Sequence, residues 1–261
     1  MKRGVARLSP MANDILLETR DLSKEFSGFL AVNNVRLKVR RGTIHALIGP
    51  NGAGKTTVFN LLTRILSPTG GAILYRGEDI TRTKPAEVAR RGLVRSFQMS
   101  AVFPNLSVLE NVRVALQRDQ GTSFHFYRSE RSLEALNARA LRILESVDLA
   151  PQYSQLAVEL PYGRKRALEI ATTLALEPEL LLLDEPTQGL GHEDVGRVTQ
   201  LIARVAEKRT VLMVEHNLSV VADLSDVITV LARGSVLAEG SYDEVAKNPR
   251  VLETYLGSME A

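Results

Sequence analysis

Ile44-His45-Ala46-Leu47-Ile48-Gly49-Pro50-Asn51-Gly52-Ala53-Gly54-Lys55-Thr56-Thr57 is the stretch on which the architecture turns. Its first five residues read as a buried strand, and a helical pattern over Thr57–Ile65 follows the glycines. Between them, Gly49 to Thr56 fits G-x-x-x-x-G-K-[ST] at every position. Three glycines let the backbone turn so that successive N–H groups face one point, which makes an anion nest. The helix that follows adds the positive end of its dipole to the same point. Lys55 can then reach the β- and γ-phosphates of a nucleotide, and the Thr56 hydroxyl can bind Mg²⁺. A phosphate site is therefore expected over Gly49–Thr57.

Leu180-Leu181-Leu182-Leu183-Asp184-Glu185 is the second informative stretch. A continuous apolar run of this kind marks a strand buried on both faces. Its two acidic residues fall at the carboxyl edge of the sheet, where open α/β proteins bind ligands. Asp184 suits Mg²⁺, either by direct contact or through a bound water, because that hard ion prefers oxygen ligands. Glu185, one residue on, is placed to point at a water attacking the γ-phosphate.

Outward from these two stretches, short apolar runs alternate with helical patterns, which argues for an α/β fold. Further strands are predicted at Ile15–Thr19, Val35–Val39, Ala72–Tyr75, Leu93–Phe97, Val211–Glu215, Val227–Leu231 and Val236–Glu239. From Gln98 to Leu160 the strand signal disappears, and helices are predicted at Val108–Gln117 and Glu130–Val147. Ser241-Tyr242-Asp243-Glu244 reads as a capping box opening a short helix. The expected organisation is a loose extension over 1–13 and one domain over 14–257. Its core spans 14–98 and 161–257, with an inserted helical subdomain at about 99–160.

Composition narrows the classes. The 261 residues are 44% apolar and 24% charged, which supports a sizeable core and excludes global disorder. No apolar stretch approaches the roughly 18 residues that a membrane helix needs. Gly4–Asp14 holds no apolar run, so no secretory leader is expected, and the chain reads as intracellular and soluble. The absence of Cys excludes disulfides, thiolate catalysis and zinc–thiolate sites. Lys+Arg 33 against Asp+Glu 30 leaves a net charge of +3, which a solvated Arg-rich face accounts for. There is no block of five or six like charges, and no nucleic-acid partner is expected. His45, His125 and His192 stand too far apart to propose a metal site.

Five elements occur in a fixed order: the loop at 49–57, Gln98 after a strand, Leu160-Pro161-Tyr162-Gly163-Arg164 before a helix, Leu183-Asp184-Glu185-Pro186-Thr187, and Glu215-His216-Asn217 after a strand. This order resembles the nucleotide-binding subunit of ABC transporters over residues 14–257: a P-loop NTPase core with a small antiparallel β part and an inserted helical subdomain. More narrowly, it is similar to the ATP-binding subunits of branched-chain amino-acid importers; amide and urea importers look similar, and a lipopolysaccharide-export subunit is a nearer alternative than a soluble ABC-type ATPase.

The resemblance implies a role for each matched residue. Phe26 would stack on adenine, and Gln98 would contact Mg²⁺ or the attacking water and report to a permease. His216 would hold the γ-phosphate. Gly163 would contact the ATP held by a partner. Two departures stand out. The signature turn carries Pro161, Tyr162 and Arg164 in place of its usual residues and lacks the usual Ser hydroxyl, though Pro suits the first turn of a helix. Gly189-Leu190-Gly191 replaces a segment that normally carries an Asp. The chain's own phosphate site is thus expected intact and its contribution to a partner's site weakened, giving an asymmetric pair. The implied cofactors are ATP and Mg²⁺. The implied partners are a second ATP-binding subunit (a sister or a copy), two transmembrane permeases and, indirectly, a periplasmic or extracellular substrate-binding protein. The chain would sit on the cytoplasmic face of the cell membrane. Phe124-His125-Phe126-Tyr127 is either local core or a permease contact.

Overall fold

Successive side chains of a strand point to opposite faces, so strands that are apolar on both faces require two cores, one on each side of a sheet. A computed structural model, which describes residues 14–96, 102–117 and 136–257, has that arrangement. In chain order the first half contains β1 (Ile15–Phe26), β2 (Phe29–Val35), β3 (Lys38–Arg40), β4 (Ile44–Ile48), α1 (Lys55–Leu62), β5 (Gly70–Tyr75), β6 (Glu78–Asp79), α2 (Pro85–Arg90), β7 (Leu93–Ser96) and α3 (Val108–Gln117). The second half contains α4 (Asn137–Ser146), α5 (Tyr162–Leu174), β8 (Leu180–Asp184), α6 (His192–Ala206), β9 (Thr210–Val214), α7 (Leu218–Leu224), β10 (Val227–Ala232), β11 (Ser235–Gly240), α8 (Tyr242–Ala246) and α9 (Pro249–Gly257).

A six-stranded sheet runs β11-β10-β4-β9-β8-β7, parallel except for the edge strand β11. Ile44, Ala46, Leu181, Leu183, Val211 and Met213 point into a core shared with α3–α7. Leu47, Leu180, Leu182, Leu212 and Val214 point the other way, into a second core with α1 and an antiparallel sheet β2-β1-β5-β6 in which β3 also pairs with β1. The expected α/β core with a small antiparallel part is therefore present. Helix α1 is held between the two sheets by Val58, Phe59, Leu61 and Leu62. Side chains of α3 and α4, such as Val112 and Leu144, join the first core directly, so the helical region shares it.

Several expected boundaries need correction. The strand predicted at Ile15–Thr19 continues to Phe26, because Asp21, at φ 48, makes a bulge that carries the ladder past the polar Arg20-Asp21 step. It returns as β2 through Ser27-Gly28, both at positive φ, the primed two-residue turn of a hairpin. The single strand predicted at Val35–Val39 is broken: the Thr19 hydroxyl donates to the Val35 carbonyl and accepts the Leu37 amide, both at 2.9 Å, in place of ladder bonds. The helix predicted at Thr57–Ile65 is displaced to Lys55–Leu62. Gly54 turns the chain into it early, and Arg64, at φ 62, ends it. The strand predicted to reach Glu215 ends at Val214. Pro161 is the N-cap of α5 and lies one residue before its first turn. Helix α3 matches its predicted span, and Glu244 accepts the Ser241 amide at 2.7 Å, as the capping box requires. Residues 1–13, Phe97, Gln98, the 124–127 aromatics and the first part of the Glu130–Val147 helix lie outside the described residues.

Candidate functional site

Because β10, β4, β9, β8 and β7 are parallel, their carboxyl ends meet at one sheet edge. The glycine loop leaves β4 there, β8 delivers Asp184, and β9 delivers the turn at Glu215-His216. The loop is fixed by close backbone approaches. At Gly49, φ 151, a Cβ would stand 2.1 Å from the Leu231 carbonyl oxygen on β10. At Gly54, φ 100, it would stand 2.7 Å from the Ala31 oxygen on β2. Only glycine fits either position. Gly54 caps α1 without a side-chain bond, and the first turn has no acidic residue, so the helix start is open to an anion.

Lys55 is buried and folds over its own loop, its Nζ donating to the Gly49 carbonyl at 2.7 Å and the Pro50 carbonyl at 2.9 Å. Burial pushes its pKa down, while Glu185 and Asp184 pull it back up, so the ammonium and both carboxylates share one field. Thr56 lies in the first turn of α1. Asp184 is 2% exposed and paired with Arg95. Glu185 has φ 47, a left-handed backbone that non-glycine residues rarely adopt, and its amide still donates to the Val214 oxygen at 2.9 Å. Its Oε1 lies 2.8 Å from Nε2 of His216, so the predicted catalytic pair is in hydrogen-bond contact.

Phe26 is half-exposed at the tip of the β1–β2 hairpin, with Lys24 Nζ 5.0 Å from its ring centroid. The same hairpin reaches the loop through Ala31. Gly163 is held elsewhere, in the first turn of α5, packed so tightly on α6 that a Cβ would stand 2.5 Å from the Asp194 carboxyl. Tyr162 lies over Gly189, which brings the two departing segments into contact. His45 is buried and bonds Thr229 at 2.7 Å.

Two side chains had no predicted role. Glu215, 3% exposed, accepts the amides of His216 at 3.0 Å, Asn217 at 3.1 Å and Thr187 at 3.3 Å, tying the His216 turn to the segment after Glu185. Arg95 bridges Asp184 and Asn60. An acidic residue at the end of a buried strand was a visible signal for the first. For the second, a lone Arg inside the apolar run Leu93-Val94-Arg95-Ser96 was the only one.

The family model for "ABC transporter" matches residues 32–188. The chain belongs to the ABC transporter family, and it is the cassette that hydrolyses ATP. A second family model, "Branched-chain amino acid ATP-binding cassette transporter", matches residues 235–261. The chain is 41% identical to the high-affinity branched-chain amino acid transport ATP-binding protein BraF of Pseudomonas aeruginosa, covering 93% of this chain and 98% of the relative. It is 40% identical to LivG of Escherichia coli, with the same coverages. Among solved structures, the ADP conformation of an ABC transporter cassette superimposes with a TM-score of 0.83 at 29% identity, covering 94% of this chain and 100% of that one. A nucleotide-free cassette gives 0.81 at 28%, covering 92% and 98%.

Proposed function

We propose that this chain powers an importer of branched-chain amino acids, cycling between ATP-bound and released states beside two permease subunits. The observation that carries the site assignment is the meeting, at one sheet edge, of the anion nest, the buried Asp184 and the Glu185–His216 pair. Full-length similarity to BraF and LivG supports the substrate class.

The loop amides and Lys55 bind the phosphates, and Lys55 exchanges its two loop carbonyls for phosphate oxygens as they arrive. Thr56 and Asp184 supply a hydroxyl and a carboxylate, the hard oxygen donors that Mg²⁺ takes alongside water and phosphate. Bound there, the ion would neutralise charge developing on the transferred phosphoryl group. Phe26 offers a ring face to the base. Glu185 accepts a proton from the attacking water, and His216, bonded to it, orients it and contacts the γ-phosphate. Gly163 and the α5 N-terminus, held apart from the loop, serve the nucleotide of a second cassette. The expected dimer thus has two composite sites, weakened where Pro161 and Tyr162 stand in place of the usual serine and its hydroxyl. An apolar groove of about 380 Å³ lined by Ile65, Phe103 and Val114, all exposed, supports a permease contact beside the helical region. No helix among the described residues is long and apolar enough to cross a membrane, which fits a peripheral place on the cytoplasmic face.

Glu185→Gln tests the chemistry. It should bind ATP as the wild type does and lose about 10²–10⁴-fold in turnover; hydrolysis above about a tenth of the wild-type rate would refute the base assignment. Leucine uptake in cells lacking this chain tests the substrate. Uptake should fall and return with the wild type but not with Glu185→Gln, and unchanged leucine uptake with lost amide or urea uptake would move the assignment.

A further inference from the structure

Asn60 and Thr56 are four residues apart on α1, and so lie one turn apart on one helix face. Asp184 ends β8, and β7 runs beside it with Arg95 paired to Leu182. The Arg95 guanidinium donates to Asn60 Oδ1 at 2.6 Å and to Asp184 Oδ2, and its centre lies 5.6 Å from the Phe59 ring centroid. One side chain from β7 therefore grips two consecutive residues of the phosphate-loop helix and the acidic end of β8.

The Arg95 and Asp184 side chains are 9% and 2% exposed. A pair this buried is weak evidence for a stabilising role, because apolar residues of similar volume fill such a place as well. Its position is more informative. It joins the two elements that carry Thr56 and Asp184. A carboxylate that faces a metal ion is commonly oriented by a hydrogen bond to its other oxygen, and losing that bond typically weakens metal binding. Arg95 takes Oδ2, which leaves Oδ1 for an ion or its water.

We propose that Arg95 is a positioning residue for Mg²⁺ at the nucleotide site: by bonding Asp184 and Asn60 together, it presents the Asp184 carboxylate and the Thr56 hydroxyl to one ion. The proposal rests on the assignment of Thr56 and Asp184 to Mg²⁺ above. Arg95 itself touches neither the ion nor the nucleotide.

Binding of a trinitrophenyl-ATP probe to the full chain, in EDTA and across a Mg²⁺ titration, tests it without relying on turnover. In Arg95→Gln the Mg²⁺ midpoint should rise about 10–100-fold, while affinity in EDTA stays at the wild-type value. Asn60→Ala, which removes only the tether to α1, should move the midpoint the same way by less, and it decides the matter if thermal melting shows Arg95→Gln unfolded. A purely structural role would instead lower affinity equally with and without the ion, which would overturn the proposal. A midpoint unchanged or lowered in the folded variants also overturns it, a lowered one showing that Arg95 competes with the ion. A wild-type Mg²⁺ response abolished by Asp184→Asn but untouched by Arg95→Gln and Asn60→Ala sinks Arg95 alone. No Mg²⁺ response in the wild type sinks the metal assignment as well.

Discussion

Replacing Glu215 should separate the scaffold of the hydrolytic site from its chemistry. In Glu215→Ala three amides lose their acceptor. The Thr187 amide is buried, and leaving it unpaired costs about 1–3 kcal/mol. The His216 and Asn217 amides are only partly buried, so water can take their bonds, and each loss is about 0.5–1.5 kcal/mol. The total is roughly 2–6 kcal/mol, a large part of a typical domain stability of about 5–15 kcal/mol. Glu215→Gln should fall between, because its oxygen still serves one side while its NH₂ is turned against a donor, at about 1–3 kcal/mol. Urea unfolding at constant m-value reads both. In protein that remains folded, ATP affinity should hold while kcat drops, since His216 and Thr187 flank Glu185. An alanine variant within about 0.5 kcal/mol of the wild type, the range of an ordinary surface change, would refute the reasoning. So would equal losses for Gln and Ala.

Other perturbations have equally definite expectations. Gly49→Ala drives a Cβ to 2.1 Å from the Leu231 carbonyl and should abolish nucleotide binding; Gly52→Ala has open space and should cost only about 1–2 kcal/mol of left-handed strain. Parallel melting and probe-binding curves would show that contrast, and equal effects would count against it. His45 is held neutral, its pKa pushed down by burial from 6.5 to about 4, with Thr229 as its partner and Glu239 accepting the Thr229 hydroxyl at 2.7 Å. Its folded pKa lies below its unfolded one, so its contribution is complete above pH 6.5 and fades as pH falls from there through about 4. The loss by pH 4 is about 3 kcal/mol. Denaturant titrations at several pH values should show that slope in the wild type and lack it in His45→Gln.

The doubly buried strands were legible in the sequence because alternation vanishes where both faces are apolar, as in Leu180–Leu183. The phosphate loop was legible because glycines, Lys and Thr fall in one short window. The β1–β2 hairpin was not, since Arg20-Asp21 interrupts the apolar pattern and the bulge that restores the ladder leaves no periodic trace; Ser27-Gly28 was its only local sign. Glu185 and His216 were each legible as residues at the γ-phosphate, but their contact, the three amides around Glu215 and the two bonds of Arg95 join segments far apart in the chain. Such bonds depend on register between strands, and no local pattern encodes them.

The left-handed backbone at Glu185 sets stability and activity against each other at a single position. An L-residue there carries about 1–2 kcal/mol of strain that glycine would largely relieve. A library selected only for heat resistance should therefore drift toward Gly or Asn at 185 and yield sturdier proteins that no longer turn over ATP. Thermostabilised variants intended for structural work on the assembled transporter should keep this residue fixed, or their resting state will be that of an enzyme without its proposed base.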